Sequence, residues 1–455
     1  LVVGNYDPEN SSKLGTGGDT SQAMQDSMSR AYNGGRNRFL LWQEPVAGNE
    51  DGIQFADADP GLPPHVLTGW TLAVGAADLD REPIDPAARK MDQLPEIYFA
   101  NDFGPDRLLH NRSTPGHLKF DVLEGVKHFT TPSSKVLGQD SFKGMGIDFA
   151  DVNGDQLPDF FISNIAGEWS LEESHALYVS TGHPEQMPDR IAPYEDRSEE
   201  LGVSRSGWGW DAKFGDFNND GVAELVQGMG FLRGTTNRWA ELHELAMGND
   251  QMLRNPANWP KFKGGDDLSG NQSNAFYVKN GDGKHAGDGR YYDIADRLGL
   301  HKPYVTRGIA TADCDGDGDL DFAIANQWGS SVYFRNGGRP APSVVLDVAF
   351  AADDRRLDRI HVSDVFDPQV RRTPAYGAKA IVRTAGRVQT AFVDGGNGHS
   401  GARSPQLHFG LGPQTKPESL LDVQFKWLDR TGQPHSESKP IGLSKKVVYV
   451  TLPSH

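Results

Sequence analysis

An acidic loop that returns along the chain constrains this sequence more than any other feature. Arg307–Gly338 reads RGIATADCDGDGDLDFAIANQWGSSVYFRNGG: a strand, an acidic turn, a second strand, a short turn and a third strand. The phrase recurs in GMGIDFADVNGDQLPDFFISNIAGEW (Gly144–Trp169), followed by HALYVSTG, and in GWDAKFGDFNNDGVAELVQGMGF (Gly209–Phe231), followed later by NAFYVKNGDG. A fourth copy is split, because Ala76–Asp80 resumes at Asp92–Asn111 and Arg81–Met91 is inserted inside its loop. The copies start roughly 65 to 100 residues apart, the periodicity of a repeat array. RYYDIADRLGL and YEDRSEELGV add an outermost strand and a link to the next unit. Four β-segments per unit with Gly-rich turns predict the blades of a β-propeller. A β-sandwich would not return one acidic loop to the same point of every unit.

Composition fits such an array. A chain of 455 residues is too long for one ordinary core unless the core is built from repeats. Only 37% of residues are hydrophobic, with 53 glycines and 28 prolines, so strands are short and turns many. A formal net charge of -17 argues against nucleic acid or an anionic membrane as the main partner. Cys314 stands alone, which excludes a disulfide framework. No apolar run approaches the roughly 18 residues of a membrane span, and Leu1–Tyr6 lacks the basic flank of a signal peptide.

Aligned by position, the loops share one donor pattern. Asp313, Asp315, Asp317 and Asp321 occupy positions one, three, five and nine, as do Asp151, Asn153, Asp155 and Asp159, and Asp216, Asn218, Asp220 and Glu224. In the split copy the donors are Asp78, Asp80, Asp92 and Glu96. Alternate residues of a tight loop turn their oxygens inward together, and a position-seven carbonyl adds one more. Hard oxygen ligands in that number suit calcium better than zinc or copper. An EF-hand needs Glu at position twelve and a helix after it, but Ile324, Ile162 and Gln227 stand there and the following residues are β-patterned. Gly318 and Gly221 supply the sharp turn at position six, where the first loop has Gln156 and a strained, weaker site is expected. Cys314, between two donors, is expected to point into the sheet. Several structural Ca²⁺ ions are therefore expected, three of which would move the charge from -17 to about -11.

These segments resemble the FG-GAP/VCBS calcium-loop repeats known from integrin α-subunit propellers and many secreted bacterial proteins. AYGAKAIVRTAGRVQTAFVDGGNGHSGARSPQLHFGLG (Ala375–Gly412) and LLDVQFKWLDRTG (Leu420–Gly432) look like the ASPIC/UnbV module. That module joins calcium-loop propellers in cartilage acidic protein and in the UnbV proteins of enediyne antibiotic gene clusters. The agreement rests on Gly377-Ala378, the Gly395–His399 turn, His408–Gly412, and Trp427 before Gly432; family members often have Trp-Pro-Xaa-Gly where this chain has a longer turn. The insertion Arg233–Gly270 looks like the UnbV branch. The resemblance implies a propeller, seven-bladed when complete, over residues 1–340. It implies a small β-sandwich-like domain over 343–455, and an extracellular or periplasmic location. It carries over no catalytic residues.

Chemistry beyond calcium is harder to read. Ala240–Asn255 is helix-like, with Leu242, Leu245 and Met252 available for one face. With Trp239, His243, Trp259, Asp266 and Asp267, this insertion at 233–270 is the expected surface for a small-molecule or protein ligand, at a propeller face. His399 and His408 read as structural. There is no Ser-His-Asp order, P-loop, dinucleotide fingerprint or HExxH. Three functions follow: a secreted, calcium-stabilised binding or accessory protein in enediyne-type polyketide biosynthesis or handling; a propeller enzyme, a cyclase or lyase, on a hydrophobic or glycosylated molecule; or an adhesion or matrix protein.

The first residues also fit the repeat. LVVGNYD aligns with FAIANQW, FFISNIA and IYFANDF, so Asn5 matches Asn326, Asn164 and Asn101. The chain is expected to start in mid-blade, with an upstream fragment completing the propeller.

Overall fold

The computed structural model describes residues 1–8, 24–43, 54–80, 93–139, 143–167, 173–248, 250–281, 287–338, 341–351, 357–384, 387–416, 419–443 and 446–454. Strand takes 43% of the chain and helix 8%, so the class is mostly β.

Five antiparallel sheets come first. The first joins Val2–Val3, Arg38–Gln43 and Gln54–Ala58. The second holds Thr71–Ala77, Glu96–Asn101, Arg107–Asn111 and Phe120–Leu123 in sequence order. The third holds Gly146–Ala150, Asp159–Ser163, Ala176–Ser180 and Tyr194–Asp196. The fourth holds Gly209–Gly215, Glu224–Met229, Ala275–Gly281 and Gly287–Asp293. The fifth has Thr306–Ala312, Asp321–Asn326 and Val332–Phe334. The inner strands stand side by side, Thr71–Ala77 next to Gly146–Ala150, then Gly209–Gly215, then Thr306–Ala312. They approach closely enough that a Cβ on Gly146 would lie 2.3 Å from the Trp210 carbonyl oxygen. No closed ring of sheets is seen among the described residues.

The repeat is visible in the wiring as well as in the sheets. The side-chain amides of Asn5, Asn101, Asn164 and Asn326 each donate to a backbone carbonyl near the start of the next strand, at Arg36, Pro105, Ser174 and Ser330. Each satisfies a turn that would otherwise leave a polar group unpaired.

Apolar packing runs between sheets. Leu79, at position two of the second sheet's loop, packs among Ile147, Phe160 and Tyr178 of the third. Val152 does the same toward Ala212, Leu225 and Tyr277 of the fourth, and Phe217, beside Phe276 of its own sheet, toward Phe322 of the fifth. Three of the four acidic loops thus drive one hydrophobic knob into the next sheet. Cys314 holds this position in the fifth sheet's loop and is exposed, contrary to the sequence expectation. No further sheet of the array stands beyond it among the described residues to receive the side chain.

Two more sheets form the C-terminal part. One combines Ser343–Ala351, His361–Ser363, Arg372–Pro374, Leu407–Gly410 and Val447–Leu452. The other combines Lys379–Thr384, Arg387–Phe392, Leu420–Leu428 and Pro434–Gly442. Val344, Leu346, Val450 and Phe409 from the first sheet and Ala380, Val382, Phe425 and Trp427 from the second share one core. One loop leaves this core altogether: Ala402–Arg403 pairs in parallel with Ala310–Thr311, adding a strand to the fifth sheet of the array.

Candidate functional site

Three acidic loops are folded by the same hydrogen bonds. Asp151 accepts from the backbone N–H groups of Gly154, Asp155 and Gln156; Asp313 does so from Gly316, Asp317 and Gly318, and Asp216 from Asp220 and Gly221. Position three accepts from position five in each, as Asn153 from Asp155, Asn218 from Asp220 and Asp315 from Asp317. Gln156 adopts φ 70°, the left-handed conformation that Gly221 and Gly318 occupy at φ 82° and 85° in the other loops. A side chain there costs on the order of 1 kcal/mol.

Position nine has a second duty. Asp159, Glu224, Asp321 and Glu96 each accept the position-two N–H, from Val152, Phe217, Cys314 and Leu79, at 2.8–3.0 Å. Asp159 and Glu96 accept another from the third strand, at Ser180 and Asn111, and Asp321 from Asn336 just beyond it. These acids lock loop to sheet, and each carboxylate keeps lone pairs for a further partner.

The loops concentrate negative charge. Burial pushes Asp151 up to about 6, with the Asp155 charge adding to it, and Asp216 up to about 7, with Asp220 adding. Glu224 and Asp159 are raised for the same reason, burial first. Oxygens of Asp313, Asp315 and Asp317 lie within 4.8 Å of one another. Arg335 reaches Asp315 at 2.5 Å and Asp317 at 3.7 Å from the open side. The donor set of these loops is oxygen throughout, which fits calcium. In the split loop, Asp78 pairs with Lys379 at 2.8 Å, while Asp92 lies outside the described residues.

All the loops stand at one end of their sheets, and the C-terminal part sits on that end. The Gly412 N–H donates to the Asn219 carbonyl at 2.8 Å, and Arg387 reaches the Asp220 carbonyl. Ser343 and His408 both bond the Gly318 carbonyl, at 2.6 and 3.0 Å. Burial holds His408 down at about 4, so it is neutral in this contact. Between the two parts lies a cleft of about 640 Å³, with the Asp151, Asp216 and Asp313 loops as its floor and the Arg383–Phe392 hairpin as its roof. Phe149, Phe214 and Val345 give it apolar wall; Arg383, Arg387 and Arg403 give it cations.

The loop 394–403 reaches the first strands of the second and fourth sheets. Asn397 Oδ1 accepts from Ala76 N–H at 2.8 Å, and Gly398 N–H donates to Val74 O at 3.4 Å. Lys213 Nζ lies 2.8 Å from Asp211 Oδ1 and donates to Asn397 O at 2.6 Å, with both charged groups fully buried. Arg403 pairs with Asp148, which is also fully buried. Burial raises Asp148, and the Arg403 and Lys213 charges oppose that rise.

The insertion at 233–270 follows the second strand of the fourth sheet, so it stands at the opposite end from the acidic loops. Trp239 is buried against Trp208, with centroids 5.4 Å apart, and Trp259 packs on Phe103 at 6.3 Å. Asp266 Oδ2 accepts from the Lys263 N–H, and Asp267 from Gly234 N–H and Asn271. His243 is exposed on the helix Trp239–Ala246; Leu245 is buried there, while Met252 is exposed. Among the described residues, Trp239 is thus spent on packing, Trp259 is half-buried against Phe103, and His243 stands exposed. The cleft at the other end was missed because it is built between units distant in sequence.

Comparison with protein families matches residues 369–439 to the ASPIC and UnbV family, and no FG-GAP or VCBS family model matches. No curated protein matches the chain.

Proposed function

We propose that this chain is a calcium-stabilised binding or accessory protein whose ligand occupies the cleft between the acidic loops and the C-terminal module. In this reading the five sheets are blades of an FG-GAP/VCBS-type propeller and the loops at Asp151, Asp216 and Asp313 each hold Ca²⁺. The observation that carries it is the cleft of about 640 Å³, a volume suited to a small molecule. Its floor is formed by loops whose buried carboxylates need a cation, so metal occupancy and ligand binding share one surface. Apolar walls beside guanidinium groups suit an amphiphilic ligand with oxygen substituents. Resemblance to the UnbV proteins makes an enediyne-type polyketide the ligand class, and calcium dependence fits an extracellular or periplasmic setting.

Disruption of the gene in its host, with extracts profiled for accumulated polyketide, tests the role. The accumulated compound is then titrated into purified protein and into Val388→Trp, which fills the roof of the cleft. Binding by the native protein and its loss in the variant are expected. Unchanged metabolite output, or equal binding by Val388→Trp, overturns the reading, and turnover of the compound would make the protein an enzyme.

A further inference from the structure

The second sheet's loop differs from the other three in a donor contributed by another strand. Opposite position ten, the third strand places Leu109, Tyr178, Tyr277 and Phe334 in register with Ile97, Phe160, Leu225 and Phe322. The next residue along each third strand is His110, Val179, Val278 and Arg335. In the fifth sheet this position is aimed at the loop, since Arg335 bridges Asp315 and Asp317. Valine leaves the third and fourth loops with oxygen donors alone. Histidine brings a nitrogen.

His110 is placed for that use. One ligand atom each from Asp80, Glu96 and His110 lie within 4.8 Å of one another. His110 is 6% exposed and Glu96 1%, so neither is a solvated surface group. The Nδ1 atom of His110 is buried and has no hydrogen-bond partner. A neutral imidazole carries one ring nitrogen as a lone pair, the atom that a metal-bound histidine presents. An unpaired buried acceptor beside two carboxylates is costly unless something cationic fills the gap.

We propose that Asp80, Glu96 and His110 form a site for a first-row divalent cation, with zinc the best match, distinct from the all-oxygen loops. Calcium takes oxygen ligands, whereas a mixed set of one imidazole and two carboxylates favours Zn²⁺, with three protein ligands among the described residues. The site ties the third strand to the loop of its own sheet, a connection that Arg335 makes in the fifth sheet with its own charge.

The test uses the full chain kept in excess Ca²⁺ and titrated with Zn²⁺ alone by calorimetry, with metal content measured after desalting. One zinc per chain is expected, and Co²⁺ in its place should give visible d–d absorption of nitrogen- and oxygen-ligated metal. His110→Val installs the residue that two sister sheets carry, so the fold should tolerate it. Calcium content should stay unchanged while zinc affinity falls by roughly tenfold or more. Should that variant fail to fold, Asp80→Asn carries the same comparison. No zinc retained in the native chain, or equal zinc retention and Co²⁺ spectra in the folded variant, overturns the proposal.

Discussion

Replacing Lys213 by methionine should cost more stability than any surface change in this protein, and the structure gives the reason. The ammonium is fully buried and all three of its protons are used: on Asp211 Oδ1 at 2.8 Å, Ala212 O at 3.1 Å and Asn397 O at 2.6 Å. Asp211 in turn accepts from Ile309 N–H at 2.8 Å and His399 N–H at 3.3 Å. Methionine keeps the volume but strands a buried carboxylate, a loss of about 3–5 kcal/mol. Pairing it with Asp211→Asn should recover part of that loss, because the uncompensated charge disappears while the amide oxygen still accepts. Urea unfolding in saturating calcium, followed by tryptophan fluorescence, measures the native protein and both variants. Because Lys213 and Asn397 belong to different parts of the chain, the array and the C-terminal module should lose stability together. A loss below about 1 kcal/mol for Lys213→Met would refute the argument. So would an unfolding transition of the C-terminal module that stays where it was while that of the array moves.

Two further outcomes are expected. Chelation should lower the melting temperature by roughly 10 °C or more, since each loop held at a hundredfold excess of calcium over its dissociation constant contributes about 2.7 kcal/mol; unchanged melting with metal loss confirmed would exclude calcium. Acid should act through His175, whose Nδ1 accepts from Asn164 N–H at 2.9 Å and whose Nε2 bonds Ser206. Burial holds this ring down at about 3, with the Arg205 and Lys135 charges adding. The folded state therefore prefers the neutral ring. Its stability is fully present above the unfolded value near 6.5 and falls by up to about 1.4 kcal/mol per unit as pH drops from there toward 3. His175→Gln should flatten that slope in denaturant titrations between pH 4 and 6.5; an equal slope in both proteins would show that other groups set it.

Much of the fold was legible because its information is local. Donors at alternate positions, followed by short apolar strands, can be read within a dozen residues, and the asparagine that closes the next turn repeats at a fixed offset. The relation of Asn5 to Asn101, Asn164 and Asn326 is visible in sequence for that reason. What stayed hidden depends on residues far apart. Asp148 and Lys213 stand out as charges within the strand phrases GIDFA and GWDAKFG, yet nothing nearby names Arg403 or Asn397 as their partners. His110 is hidden in sequence because it sits on the third strand, outside the spacing that marks the loop donors. The tryptophans of the insertion read as available for a ligand, but aromatic side chains are as readily spent on packing, and Trp239 is buried against Trp208 with the rings tilted.

The loop at 394–403 bears on when this protein can finish folding. Its contact from Asn397 to Ala76 spans 321 residues, so the inner strands wait for their central partner until almost the whole chain is made. At 5–20 residues per second, the stretch between Ala312 and Arg403 takes the ribosome on the order of 5 to 20 seconds. During that interval Asp211 and Lys213 lack the partners that this loop supplies. Loop closure over such a distance is slow to begin, although added length costs it little free energy. The C-terminal module thus acts as a completion signal: a chain interrupted before it keeps a wet, unsealed centre and stays visible to chaperones and proteases.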